Sequence, residues 1–477
     1  MPRSRASRSV LHSDFSSTAV VFGMNVLRLG AAALYLWSAA AIHCAAAQVS
    51  FTVTPSEPLI DEPVRIVLDG LSHNSPITLR AKSEAQDHLW WRSEIVINSG
   101  PDGHIDLGAR APQAGSYQGI DAMGLFWSMK PDKDPKNADH SFFAVKDLFK
   151  AIDTNIEVVE AGQVVGSVTI VRRYSKAAVK CSPLKDAGLH GILCFPDDGK
   201  QHHGVLVIGG SEGGAGLPDV TVLLASHGFT ALSLSYFGES GQPATLQNIP
   251  LEYFQRAANW MLRLPETRSR RIAVFAVSRG TEAALQLAAM SSVIDAVVAR
   301  SPSFVRWGGI SARGLPGGPA WTFSGKPLPY IPNRIPLWFG TQYLWDRAIA
   351  EPVRQTPLFL YDLSIFGATD SVEIPVENIH GPILLLSGKD DQIWPGDMMA
   401  DKLMARLKQH GHPYHDAHLS YDQVGHSIPC EYLPTAGDFS GLRLVIGGNA
   451  EGVANAQRDS WPKILGFLNQ AATAALH

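Results

Sequence analysis

Cysteine is scarce in this chain, with four in 477 residues. Cys44, Cys181, Cys194 and Cys430 form no pair of pairs and lack suitably spaced histidines, so a zinc site is not expected. A strong charge of either sign is also lacking. The net charge of −4 gives no electrostatic footprint for a nucleic-acid partner. Long apolar runs are missing near the start, where Leu29 to Ile42 falls short of the roughly 20 residues that span a bilayer. No low-complexity tract or internal repeat is evident, which argues against solenoids and fibrous arrays. What remains is an ordinary globular composition, 45% hydrophobic and 18% charged, in a chain long enough for two domains.

The first 47 residues stand apart. Arg3, Arg5, Arg8 and Arg28 precede the apolar run, which closes on Ala45-Ala46-Ala47 just before Gln48. A basic start, a short apolar centre and a small-x-small exit describe a secretory signal peptide over residues 1–47, with Met24 as an alternative start. Export to a periplasm or the exterior is therefore expected. The alternative is an uncleaved N-terminal membrane anchor. His43 beside Cys44 speaks against a lipid-modified cysteine. In an oxidising compartment Cys181 and Cys194 could close a short disulfide loop; two separate buried thiols are the other option.

Residues 48–174 read as all-β. VSFTVTP, VRIVLDGL, PITLRAKS and WWRSEIVINS alternate apolar and polar residues between Pro, Gly, Asn and Asp, and HIDLGA, IEVVEAG and VGSVTIVRRY continue the pattern. Such spacing predicts a sandwich of antiparallel sheets. Trp90 and Trp91 are taken as core residues rather than a binding pair. From 175 to 477 the pattern changes to alternating strands and helices: GVLVIGG, Leu217 to His227, TALSLSYF, Leu251 to Leu264, Ile272 to Val277, then AVVARS. It resumes with PILLLSG, a helix near Asp397 to Lys408, and AHLSYD. This predicts a doubly wound, mainly parallel α/β-hydrolase sheet with its chemistry at the strands' carboxyl ends. Residues from about 301 to 378, rich in Pro, Gly and Trp, read as an irregular insertion over the site.

The densest signal is Ala276-Val277-Ser278-Arg279-Gly280, between an apolar strand and an Ala/Leu-rich helix. Strand, sharp turn with serine at its apex, helix: this is a nucleophile elbow, with Ala276 in place of the usual first glycine. Ser278 needs a base and an acid, in the order Ser, acid, His. Asp391 follows the apolar strand in SGKDDQIWP and is the expected acid, with Asp390 the alternative. His426 in YDQVGHSIP follows the next strand and is the expected base. Oxyanion donors are expected from the amide of Arg279 and from the loop after the Gly204 strand, at Gly210 or Ser211.

Several segments resemble one family. PSEPLIDEPVRIVLDGL, ITLRAKS and especially GSYQGIDAMGLFWSMKP (Gly115 to Pro131) are similar to the N-terminal domain of the acyl-CoA thioesterase and bile acid-CoA:amino acid N-acyltransferase family. AVSRGTE, SGKDDQIWP and SYDQVGHSIPCEYLP resemble its nucleophile, acid and histidine loops, and SHGFTALSLSYF and KPLPYIPNRI match as well. The likeness runs from Gln48 to Asn469 and is weakest from Ala350 to Val372. It implies an immunoglobulin-like form for the N-terminal sandwich and an acyl-CoA-type thioester as substrate. Serine rather than cysteine at the nucleophile position implies thioester hydrolysis rather than amide transfer. An exported carboxylesterase or dienelactone-type hydrolase is the alternative, since coenzyme A is chiefly cytoplasmic; a catalytically silent binding protein is a third reading.

Two stretches invite other assignments. GGSEGGAG lacks both a P-loop lysine and G-x-G-x-x-G spacing, so nucleotide binding is not expected. HGHPYHDAH (His410 to His418) straddles a proline turn without an i, i+4 helical pair, so these read as surface histidines rather than metal ligands. No cofactor or metal is called for by the sequence.

Overall fold

The computed structural model describes residues 49–132, 142–186, 188–268, 270–349, 351–435 and 444–474. The expected leader over residues 1–47 lies outside them. The chain begins with β1 (Ser50–Thr54), β2 (Arg65–Asp69), β3 (Pro76–Glu84), β4 (Trp90–Asn98), β5 (Ile105–Asp106), β6 (Ile152–Glu160) and β7 (Gln163–Arg172). These make two antiparallel sheets, one ordered β1-β2-β5 and the other β4-β3-β6-β7, with the two-residue strands Ala114–Gly115 and Lys130–Pro131 added to β4. Alternation drives them. Ile77, Leu79 and Ala81 of β3 and Trp91, Ile95 and Ile97 of β4 are buried while their neighbours face outward. Ile66 and Leu68 of β2 join the same apolar cluster.

That alternation also corrects the pairing of Trp90 with Trp91 as core. Trp91 is fully buried against Phe143, but Trp90 points to the opposite face, where it is exposed and carries the Arg92 guanidinium over its ring.

The second part holds β8 (Val179–Asp186), β9 (Leu189–Pro196), β10 (His203–Ile208), β11 (Phe229–Ser235), β12 (Ile272–Val277), β13 (Ile294–Arg300), β14 (Ile383–Gly388) and β15 (Ala417–Tyr421). They form one sheet ordered β8-β9-β11-β10-β12-β13-β14-β15, in which β9 is antiparallel to both neighbours and the pairs from β11 onward are parallel. The helices are α1 (Pro218–Ser226), α2 (Leu251–Met261), α3 (Arg279–Met290), α4 (Leu337–Ala348), α5 (Thr356–Phe366), α6 (Gly396–Gln409) and α7 (Ala450–Ala474). Successive residues of β10 serve opposite layers. Val205 and Val207 pack in a cluster with α1 and α7, Leu206 and Ile208 in one with α2, α3 and α6. Burial on both faces explains why these strands are continuously apolar. Strand order, the antiparallel second strand and helices on both faces define an α/β-hydrolase sheet.

The β8–β9 register sets Cys181 opposite Cys194, and the two form a disulfide. The stretch from 301 to 378 is more ordered than expected. It contains α4, α5 and two small sheets, one pairing Gly308–Ile310 with Pro316–Pro319 and the other built on Trp321–Phe323. Backbone pairing and two helices satisfy the amides of a sequence whose Pro and Gly content suggested loops.

Candidate active site

β12 delivers Ser278 to the carboxyl end of the sheet, and α3 starts at the next residue. Ser278 sits at φ +52°, ψ −127°, a conformation that side-chain-bearing residues disfavour. The turn is held by the Ser278 N–H donating to the Arg300 carbonyl (2.9 Å) and by the Thr281 N–H and hydroxyl donating to the Ser278 carbonyl (2.9 and 2.6 Å). Close approach of strand and helix explains Gly280, where a Cβ would stand 2.1 Å from the Gly209 carbonyl oxygen. Ala276 is fully buried beside β10, so a methyl fits where the usual motif has glycine.

The structure brings Ser278, Asp391 and His426 together. His426 Nε2 lies 2.9 Å from Ser278 Oγ, and His426 Nδ1 lies 2.8 Å from Asp391 Oδ2. The other carboxylate oxygen of Asp391 accepts the N–H groups of Ile393 (2.9 Å) and Trp394 (3.2 Å), which fixes its aim. Trp394 then stands edge-on to the His426 ring. Asp390 faces elsewhere: its carboxylate accepts from Gln392 Nε2 and the Gly448 N–H. Of the two carboxylates, Asp391 is the one within hydrogen-bond distance of His426. His426 is held by its own backbone, donating its N–H to Ile446 (3.0 Å) and accepting from the Ser301 hydroxyl at its carbonyl (2.7 Å). Glycines let these loops touch. A Cβ on Gly425 would meet the Gly447 carbonyl oxygen at 2.2 Å, and one on Gly388 the Val424 carbonyl oxygen at 2.1 Å.

The expected oxyanion donors are placed unequally. The Arg279 N–H opens α3 and, among the described residues, meets no acceptor. Gly210 lies against the nucleophile, since a Cβ there would be 3.0 Å from Ser278 Cβ. Its N–H, however, already donates to Glu212 Oε1 at 2.7 Å. Ser211 is exposed. Tyr236 Oη donates to the Gly209 and Gly210 carbonyls, fixing the loop from beneath. With an acid on its amide, GGSEGGAG is the reverse of a phosphate cradle.

Sequence reasoning missed a buried ion pair under the elbow. The Arg279 side chain turns inward to Glu282 (Nε–Oε1 2.5 Å) and donates to the carbonyls of Trp307 (3.1 Å) and Gly308 (3.0 Å). Glu282 in turn accepts from the Trp307 N–H (3.0 Å) and Trp321 Nε1 (2.8 Å). Complete burial pushes the Glu282 pKa up, against the pull of Arg279. The available signal was an Arg-x-x-Glu spacing inside an otherwise apolar helix, which brings both side chains to one face.

The His410–His418 stretch needs correcting. The His412 side chain is buried and that of His418 is mostly covered, rather than both lying on the surface. His412 lies between Asp416 (2.6 Å) and the Ile379 carbonyl (2.8 Å), and His418 between Ser387 (2.7 Å) and Asp401 (3.1 Å). The strand start and proline turn that ruled out a helical pair fold the rings inward against carboxylates. Among the described residues no cluster of His, Cys, Asp or Glu could hold a metal ion.

Two family profiles match the sequence. Residues 61–186 match the acyl-CoA thioester hydrolase/BAAT N-terminal region, and residues 249–311 and 359–474 match the BAAT/acyl-CoA thioester hydrolase C terminal. Acyl-coenzyme A thioesterase 1 of Homo sapiens is 26% identical over 422 residues, covering 86% of this chain and 93% of its own. Bile acid-CoA:amino acid N-acyltransferase of Homo sapiens is 28% identical over 432 residues, covering 88% and 97%. Among solved structures, an acylaminoacyl peptidase from Pyrococcus horikoshii aligns with 86% of this chain and 60% of its own, at 11% identity and a TM-score of 0.38.

Proposed function

The chain belongs to the acyl-CoA thioester hydrolase and bile acid-CoA:amino acid N-acyltransferase family, and from that premise we propose that it is a serine hydrolase of acyl-CoA-type thioesters. The observation that carries the reading is the uninterrupted line from Ser278 Oγ through the His426 ring to Asp391, at 2.9 and 2.8 Å. His426 Nε2 takes the Ser278 proton as Oγ attacks the thioester carbonyl, while Asp391 holds the Nδ1–H tautomer and stabilises the imidazolium. The oxyanion forms toward the Arg279 N–H and the Gly210 loop, each donor contributing about 3 kcal/mol. The C–S bond breaks as the His426 imidazolium returns its proton to the sulfur, and the thiol leaves. Water, deprotonated by His426, then attacks the acyl-serine, and the fatty acid departs as Ser278 recovers its proton.

Serine at the nucleophile position favours hydrolysis over amide transfer. In this reading residues 48–174 are an immunoglobulin-like sandwich, a form supported by two antiparallel sheets whose longer strands run β1-β2-β5 and β4-β3-β6-β7. Residues 175–477 form the hydrolase unit, and residues 1–47 a leader for export. The Cys181–Cys194 disulfide favours an oxidising compartment. It also motivates a second reading, an exported esterase on oxygen esters.

Turnover of palmitoyl-CoA and of a nitrophenyl ester by the full chain and by Ser278→Ala tests both. Hydrolysis of palmitoyl-CoA that vanishes in the variant is expected. Activity on the oxygen ester alone overturns the thioesterase reading. No Ser278-dependent turnover of either overturns both and leaves a binding protein.

A further inference from the structure

We propose that the Glu212 carboxylate caps the oxyanion donor of Gly210 and must be displaced by the substrate carbonyl before Ser278 can be acylated. The proposal rests on the hydrolase reading and extends it to a residue between the two stretches matched by the family profiles. The Gly210 N–H stands on the strand-end loop facing the elbow, where acyl-transfer sites of this fold place their second donor. Glu212 Oε1 occupies it at 2.7 Å. The carboxylate is wedged in, because a Cβ on Gly209 would lie 2.1 Å from its Oε1 and one on Gly210 would lie 2.9 Å from its Oε2. Only Gly210 separates it from the nucleophile.

A bound carboxylate is the wrong charge for that position. An oxyanion developing beside it would be repelled, and the donor has no second hydrogen to offer. Departure is easy by contrast. Glu212 as a residue is exposed, and Gly213 at φ +68° and Gly214 at φ +63° follow it, supplying a hinge that bulkier residues would stiffen. The carbonyl oxygen of the thioester would take the vacated N–H while the carboxylate turns to solvent.

The strength of the cap depends on ionisation, because a carboxylate holds an N–H more tightly than a neutral acid. Facing Glu212 are His426 from the loop after β15, Asp219 in the first turn of α1 (itself hydrogen-bonded to Glu431), and the Tyr236 phenol beyond β11. Although the residue as a whole is exposed, burial of its carboxylate against Gly209 and Gly210 pushes the Glu212 pKa above the ordinary glutamate range; Asp219 adds to the rise, whereas the amides of Glu212 and Gly210 and the His426 ring oppose it. The cap therefore tightens as pH rises through that elevated range and loosens below it.

The experiment follows inactivation by a fluorophosphonate. Ser278 Oγ bonds to phosphorus, fluoride leaves, His426 accepts the proton, and the phosphoryl oxygen must enter the same donors as the oxyanion. The full chain is compared with Glu212→Ala and Glu212→Gln over a pH series that carries a carboxyl raised above the ordinary range from its neutral to its charged form. Each variant's rate is divided by wild type at the same pH, and Glu212→Gln, which removes the same charge as Glu212→Ala, controls for the effect of that charge on His426. Glu212→Ala is expected to react faster, on the order of tenfold at the upper end, the factor matching one charge-assisted hydrogen bond. The ratio should fall toward one as pH drops. Glu212→Gln, uncharged but still able to accept from Gly210, should lie between. A ratio independent of pH, or a slower Ala variant rescued by Gln, overturns the cap and leaves the hydrolase reading intact. Labelling that persists in Ser278→Ala, or no labelling of wild type, overturns both.

Discussion

Replacing Ser278 by glycine should leave a more stable protein than replacing it by alanine, the reverse of the usual order. Both variants lose the hydroxyl and its 2.9 Å contact with His426, so that contribution cancels in the comparison. What differs is a Cβ held at φ +52°, ψ −127°. A side-chain-bearing residue in such a region costs roughly 1–3 kcal/mol. Glycine loses about 0.5–1 kcal/mol through the greater freedom of its unfolded chain. The balance favours Ser278→Gly by about 1 kcal/mol. Guanidinium unfolding of the two variants, followed by tryptophan fluorescence, reads this as a higher midpoint at equal slope. Both should be inactive, with turnover down on the order of a millionfold. An alanine variant as stable as the glycine variant, or more so, would refute the idea that the elbow stores strain at this residue.

Asp391→Asn should lower kcat by about 10⁴ while Asp390→Asn changes it by less than about tenfold, because only Asp391 reaches His426. Glu282→Ala should destabilise the chain by about 3–5 kcal/mol in denaturant unfolding, since it strands a buried Arg279 guanidinium. Reducing the Cys181–Cys194 bridge, 13 residues apart, should cost about 3 kcal/mol and lower the unfolding midpoint. The Arg406 guanidinium grips Glu377 at 2.6 and 2.7 Å and holds its pKa below the usual glutamate value. That stabilisation is fully present above about pH 4.5 and is lost as pH falls through the lowered value. The destabilisation caused by Glu377→Gln, about 1 kcal/mol at neutral pH, should therefore vanish in acid melts.

Elements whose burial is uniform were readable from the sequence. The apolar run of β12 and the alternation in β3 and β4 follow from solvation of one face or of none. The three residues at the site were also readable, because each ends a strand and must sit at the same sheet edge. Partners supplied by distant chain were not. Nothing near Glu282 announces the Trp321 indole, and nothing in GGSEGGAG says that its glutamate folds back onto Gly210. Period-two alternation placed Trp90 opposite Trp91, yet composition alone grouped them in the core. The inward turn of His412 depends on Asp416 and the Ile379 carbonyl, a contact made across two elements.

The N-terminal sheets are tied to the far end of the chain. Asp61, ahead of β2, accepts from His227 after α1 and from the Trp461 indole of α7, and the buried Arg172 guanidinium of β7 donates to the Tyr432 carbonyl. During synthesis Asp61 emerges 400 residues before Trp461, so water rather than the protein solvates its carboxylate until α7 packs against it. Burial of the Asp61 carboxylate is thus completed only by a helix close to the last of the described residues.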